Sequence, residues 1–134
     1  MEVVTVATDQ NGFVRNLVQS SEALGYRVHV LGVGVEWTGY ETKIKTVLEF
    51  LRQLESTGTP VAVVDAYDLI MTRPVAEMVR RFEDISENRI VVGAEKQCSF
   101  NCYNQKRCPS KNGWYPNGGF VMGSAGDLET MYAF

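Results

Sequence analysis

The sequence predicts an α/β sandwich built on a mostly parallel sheet. Two observations carry that prediction. Short apolar runs alternate with amphipathic stretches of helical period along the whole chain. One of those runs, Val61 to Val64, is too continuously apolar to leave a wet face, as in a sheet covered on both sides.

Taken in order, Val3 to Thr8 is an apolar strand. Gln10 to Leu24 carries Phe13, Val14, Leu17, Val18 and Leu24 on one helical stripe, and Gly25 stops it. Arg27 to Leu31 is a second strand. Gly32, Gly34 and Gly39 make the next segment a loop. Thr42 to Leu54 is a helix that buries Ile44, Val47, Leu48, Leu51 and Leu54. Val61 to Val64 is the third strand. Thr72 to Ile85 is a third helix, with Pro74 near its start and a stripe of Val75, Met78, Val79, Phe82 and Ile85. Arg89 to Ala94 is a fourth strand, Lys96 to Pro116 a long loop, and Gly119 to Gly123 a further strand. Ser124 with Asp127 three residues on is a helix N-cap signal. The last helix has barely begun at Phe134. Its stripe of Leu128, Met131, Tyr132 and Phe134 reads as a domain that ends early and could associate through that end; the other reading is a short helix docked on the sheet.

The chain has 134 residues, enough for one domain over 1–134. With 45% hydrophobic and 22% charged residues it has the make-up of an ordinary globule. A net charge of -3 argues against nucleic acid, despite the local basic loop of Lys106, Arg107 and Lys111. No apolar run approaches the ~20 residues that span a membrane. No signal peptide stands at the N-terminus, so nothing addresses the chain to a compartment, and the default is cytoplasmic unless it is an excised domain or a viral protein.

Cys98, Cys102 and Cys108 share one loop, an odd number at a spacing poor for zinc, and His29 is far away in sequence. An Asp-terminated apolar strand also suits a nucleotidase, but no Gly-rich loop ends in Lys-Ser or Lys-Thr. Gly32-Val33-Gly34 opens like a dinucleotide fingerprint, but Trp37 stands where the third glycine belongs. There is no Ser-centred nucleophile elbow.

In parallel sheets ligands bind outside the carboxyl ends of the strands. Thr8 and Asp9, Asp65 to Asp68, and Glu95 fall at such ends. Asp65 and Asp68 are three residues apart, so one loop can aim both carboxylates at a hard divalent cation or at the phosphate it carries. Bare aspartates in such a loop are also ordinary turn caps.

These residues, in order, resemble the N-terminal part of the glycosyltransferase domain of procollagen lysyl hydroxylases and related viral proteins. The resemblance covers nearly the whole chain. It rests on Val4-Thr5-Val6-Ala7-Thr8, Leu31 to Gly39 with its Gly-x-Gly-x-x-Trp-x-Gly, Thr42-Lys43-Ile44-Lys45, Asp65-Ala66-Tyr67-Asp68, Gly93-Ala94-Glu95 with Cys98, and Tyr115 to Gly119 with Gly123. It implies a GT-A-like, Rossmann-type fold, a UDP-sugar donor, a manganese ion and a hydroxylysine or collagen-like acceptor.

The resemblance makes Asp65 and Asp68 the metal and diphosphate residues and Tyr67 a uridine contact. Thr8, Trp37 and Lys43 would line the nucleotide pocket, and Glu95 and Asn117 would face sugar or acceptor. Each has a plainer reading: Trp37 as core, Lys43 as a solvated helix start, Asn117-Gly118-Gly119 as a turn, Glu95 as a loop closure and Cys98 as a buried thiol. Two features depart from the family. Ser99 follows the loop cysteine where the family has Trp, and Phe100 to Asn112 carries the extra Cys102 and Cys108. The family's later acidic cluster and metal-binding histidine would lie beyond Phe134. That predicts weak nucleotide binding by the chain alone, and it keeps open a non-catalytic nucleotide-sugar-binding or structural module.

Overall fold

A computed structural model describes residues 1–9, 13–87, 89–96 and 114–134. The three cysteines, Ser99, the Phe100 to Asn112 loop and its basic residues lie outside that set, as does the start of the first predicted helix. The elements are β1 (Glu2–Val6), α1 (Val14–Ala23), β2 (Arg27–Leu31), α2 (Tyr40–Leu51), β3 (Pro60–Val64), α3 (Val75–Ser86), β4 (Val91–Glu95), β5 (Tyr115–Ser124) and α4 (Ala125–Tyr132).

The five strands form one sheet in the order β2-β1-β3-β5-β4. β1 pairs in parallel with β2 and β3. β5 is antiparallel to both β3 and β4, so β4 runs with the first three strands and only β5 opposes them. The fold is the expected α/β class with a mostly parallel sheet. The alternation of elements did not reveal the reversed strand.

The period-two alternation along the strands divides the core between two faces. Val4, Val6, Val61, Val63 and Val121 pack with Val47 and Leu51 of α2 and Leu128 of α4. Val3, Ala62, Val64 and Met122 pack with Leu17 of α1 and Tyr26, with Val75, Met78 and Phe82 of α3 half-buried against them. β3 is therefore buried on both faces, and Val61 to Val64 are all fully inaccessible. Each such valine contributes roughly 1.5–3 kcal/mol of burial. Thr5 is the polar exception in this centre, and its hydroxyl donates to the Val64 carbonyl at 2.9 Å.

Two caps follow the sequence signals. Tyr26 N donates to Ser21 O at 3.0 Å and Gly25 N to Glu22 O at 3.2 Å, the paired bonds of a Schellman ending. Gly25 takes the left-handed φ of 82° that this ending requires. Ser124 caps α4 by accepting from Asp127 N at 3.1 Å.

Three elements differ from expectation. α2 starts at Tyr40, two residues early, and ends at Leu51. α3 stands off the sheet: its stripe is only half-buried, Ile85 is exposed, and a groove of about 500 Å3 opens between Met78, Phe82, Ile85, Val91 and Phe120. β5 is twice the expected length because it includes Tyr115 to Gly118. Asn117-Gly118-Gly119 is thus a bulged strand segment and not a free turn. The register with β4 jumps there, from Val92 opposite Val121 to Gly93 opposite Asn117. A bulge uses the same permissive residues as a turn, so local composition does not separate them. α4 docks: Leu128 is fully buried, Met131 and Tyr132 pack at the edge of the core, and Phe134 is exposed.

Candidate functional site at the carboxyl edge of the sheet

β1, β2 and β3 all end at one edge of the sheet, and each hands a loop to it. β5 enters at that same edge from the opposite direction, because Val64 is level with Phe120. The backbone locks the two together: Asp65 N donates to Gly119 O at 2.9 Å. The carboxylate of Asp65 is thereby placed beside the bulge of β5.

The first turn of α2 supplies the partner. Lys43 Nζ donates to Asp65 Oδ1 at 2.6 Å and to Gly118 O at 3.2 Å. The Lys43 side chain is the covered member, 14% exposed against 47% for Asp65. Its aliphatic stem is packed and its ammonium held at the rim. Asn117 turns its side chain into the same corner, and its Oδ1 accepts from Gly119 N at 2.6 Å. Gly119 sits so tightly that an added Cβ would lie 2.7 Å from Asn117 Oδ1 and 2.8 Å from Asp65 Oδ2. Three of the expected site residues, Lys43, Asp65 and Asn117, therefore meet around Gly118 and Gly119.

The others surround this corner without joining it directly. Thr8 holds the glycine loop through its carbonyl, which accepts from Gly34 N at 3.0 Å. Tyr67 donates its hydroxyl to Asp9 O at 3.1 Å, tying the loop after β3 to the loop after β1. Trp37 is half-exposed and meets the Tyr40 ring edge-on at 6.5 Å, so it is not a core residue. Thr38 and Thr42 pin this loop to α2, with Thr38 N donating to Thr42 Oγ1 at 3.1 Å. Asp68 is exposed on the loop beyond Tyr67. Glu95 ends β4 opposite Tyr115. His29 plays no part here: its Nε2 lies 2.5 Å from Glu2 Oε2, and Glu2 begins β1 at the opposite end from the site.

Two groups at this edge escaped sequence reasoning. Tyr132 of α4 has its hydroxyl pushed up to about 12, first by burial and then by the charge of Asp65. Its place in an apolar stripe marked it only as packing. Lys96 sets its ammonium 5.3 Å from the centre of the Trp114 ring, beside the β4–β5 end.

The donor set bears on a metal ion in two ways. Asp65 already holds a cation, the Lys43 ammonium, and carboxylate and amide oxygens are the donors a hard divalent ion takes. Among the described residues no group of three or more His, Cys, Asp or Glu side chains gathers. The described part of the chain thus offers a carboxylate anchor and not a closed cage. Among the described residues no helix is long and apolar enough to cross a membrane.

Known proteins share this sequence pattern. A procollagen lysine hydroxylase and glycosyltransferase of Caenorhabditis elegans, named as multifunctional, is 32% identical over 106 residues, which is 72% of this chain and 14% of the relative. The multifunctional LH3 protein of Rattus norvegicus is 29% identical over 105 residues, again 72% of this chain and 14% of the relative. Procollagen-lysine,2-oxoglutarate 5-dioxygenase 1 of Gallus gallus is 23% identical over 133 residues, 92% of this chain and 18% of the relative. The chain thus spans less than a fifth of the length of these relatives. The family described as the PLOD GT domain matches residues 1–133. With that match and the relative at 32% identity, the chain belongs to the PLOD GT domain family, the glycosyltransferase domain of procollagen lysine hydroxylases.

Proposed function

We propose that this domain binds a UDP-sugar with a divalent cation, manganese being the first candidate, and acts in transfer of the sugar to a hydroxylysine or collagen-like acceptor. The observation that carries the reading is the meeting of Lys43, Asp65 and Asn117 at the carboxyl edge of the parallel strands. The family membership and the names of the relatives support the donor and acceptor classes.

In this reading Asp65 and Asp68 hold the cation, and Lys43 places a point charge on the diphosphate. Thr8, Trp37 and Tyr67 form the nucleotide wall, where exposed aromatic faces suit a uracil ring. Asn117 and Glu95 face the sugar or the acceptor. A bound divalent cation would neutralise charge that develops on the departing diphosphate without proton transfer. The chain's own part is to orient the diphosphate: the Asp65 backbone is fixed by Gly119, and Lys43 is fixed by α2.

The test is thermal unfolding with UDP-glucose, with and without manganese. A ligand at a hundred times its dissociation constant stabilises by ~2.7 kcal/mol. The expected shift needs the metal and disappears in Asp68→Ala. A folded sample with no shift under any condition would sink the donor and metal roles together. A turnover assay then separates transfer from the alternative, a module that binds the nucleotide sugar without transferring it.

A further inference from the structure

We propose that Trp114 reads the acceptor at this site, as an aromatic platform for a proline ring of an extended, collagen-like chain. The acceptor class rests on the reading above; what is added is the residue that recognises it and the chemical group recognised.

The basis is the way the sheet ends. β3 pairs with β5 only as far as Val64 opposite Phe120. β4 goes on pairing with β5 as far as Glu95 opposite Tyr115. Among the described residues, β4 and β5 therefore run past the end of β3 as a two-stranded wall, and Asn117 of the corner lies on it. Trp114, just before β5, stands at the tip of that wall. It is 45% exposed, so much of its ring faces solvent. The ring is also held, because Lys96, just after β4, sets its ammonium 5.3 Å from the ring centre. A large rigid ring that is fixed before a partner arrives loses little freedom on binding.

Spacing points to the occupant. Trp114 lies three residues before Asn117, along a stretch that pairs regularly from Gly93 opposite Asn117 to Glu95 opposite Tyr115. At the rise of a strand that is ~10 Å outward from the corner. A proline-rich chain in its extended helix rises ~3.1 Å per residue, so one Gly-X-Y triplet covers about the same distance. An acceptor whose modified residue sits at the corner thus lays the equivalent position of the next triplet on Trp114. Proline-rich segments dock on aromatic faces in this way, since their conformation is formed before binding.

The chain's other tryptophan is placed for a different task. Trp37 follows β2, and β2 and β5 stand three places apart in the sheet, ~14 Å. Trp37 meets Tyr40 beside the first turn of α2, so the two indoles flank Asp65 from opposite sides.

The experiment is a calorimetric titration of the whole chain with two peptides. One is a Gly-Pro-Pro repeat carrying a single hydroxylysine, and the other has alanine in place of every proline. The wild type should bind the proline peptide roughly tenfold more tightly, and Trp114→Ala should remove that preference. Trp114→Phe, which keeps an aromatic face, should retain most of it. Tryptophan emission gives a second readout that leaves Trp114 in place. In Trp37→Phe, Trp114 is the sole tryptophan, and its emission should shift with the proline peptide and stay unchanged with UDP and manganese. Equal affinity for the two peptides, binding of neither, or a preference that survives Trp114→Ala overturns the platform. So does a Trp114 emission that answers UDP and not the peptide. If UDP and manganese still bind in such a sample, the donor reading stands. A proline preference carried by Trp114 in a chain that binds no UDP keeps the platform and sinks the donor.

Discussion

Gly119 is hydrogen-bonded to Asp65 and leaves its carboxylate the space a side chain would take. The backbone of Gly119 accepts from Asp65 N at 2.9 Å, and a Cβ on Gly119 would intrude to 2.8 Å from Asp65 Oδ2. The first contact fixes the strand end, and the second leaves no room for a side chain unless Asp65 and Asn117 move. The atoms such a Cβ would meet are the tips of two side chains, Asp65 and Asn117, which can swing away. Gly119→Ala should therefore cost little stability, on the order of 1 kcal/mol, while displacing both side chains from the corner. Thermal unfolding should show a nearly unchanged Tm without ligand and a much smaller shift with UDP and manganese. A full ligand shift in this variant would separate Asp65 and Asn117 from binding.

Trp37 offers a cleaner separation of packing from binding. It is half-exposed, and its recorded ring contact is the edge of Tyr40. Removing a ring that is only half-covered should lower stability by no more than about 1 kcal/mol, well below the ~3–5 kcal/mol of a core Trp→Ala change. Urea unfolding of Trp37→Ala measures this. Its UDP titration should lose affinity even so, and a variant that unfolds easily but binds normally would make Trp37 structural.

Alkaline pH should weaken the fold through Tyr132. Its folded-state value is raised to about 12 from the ordinary 10.0. The folded chain therefore keeps a proton that the unfolded chain releases. That stability is fully present below pH ~10 and is lost progressively as the pH rises toward ~12. Tyr132→Phe should flatten the fall of Tm across this range. Tyr26 is also raised, by burial and then by Glu77, so a residual slope should persist.

Ser21 is fully buried in α1, and among the described residues its hydroxyl has no hydrogen-bond partner. An unmet buried hydroxyl is a standing penalty. Ser21→Ala should be neutral or stabilising by about 1 kcal/mol, measured by chemical denaturation. A destabilisation of that size would mean that the hydroxyl serves the helix.

Much of this architecture was legible in the sequence. The continuous run Val61 to Val64 marked the doubly covered central strand, and Gly25 and Ser124 marked helix ends through hydrogen bonds they make themselves, Gly25 from its backbone and Ser124 from its side chain. Asp65 was placed at the right edge because strand direction alone decides that. The reversal of β5 was hidden, since an apolar strand after a long loop looks the same whichever way it enters the sheet. The Lys43 contact was hidden for a related reason. A lysine at a helix start is ordinarily solvated, and only the bulge at Gly118 gives it a floor. Tyr132 read as apolar packing because its nearness to Asp65 depends on how α4 lies across α2.

The insertion of β5 between β3 and β4 also has a kinetic meaning. β4 precedes β5 in the chain, and among the described residues its one neighbour in the sheet is β5. Its pairing therefore depends on β5. The bond from Lys43 to Gly118 spans 75 residues, and it too depends on β5. Long-range closures of this kind are slow steps in folding. The corner of Lys43, Asp65 and Gly118 thus depends on one of the longest-range closures in the sheet, and if the proposed UDP binding holds, its appearance during refolding should report the docking of β5.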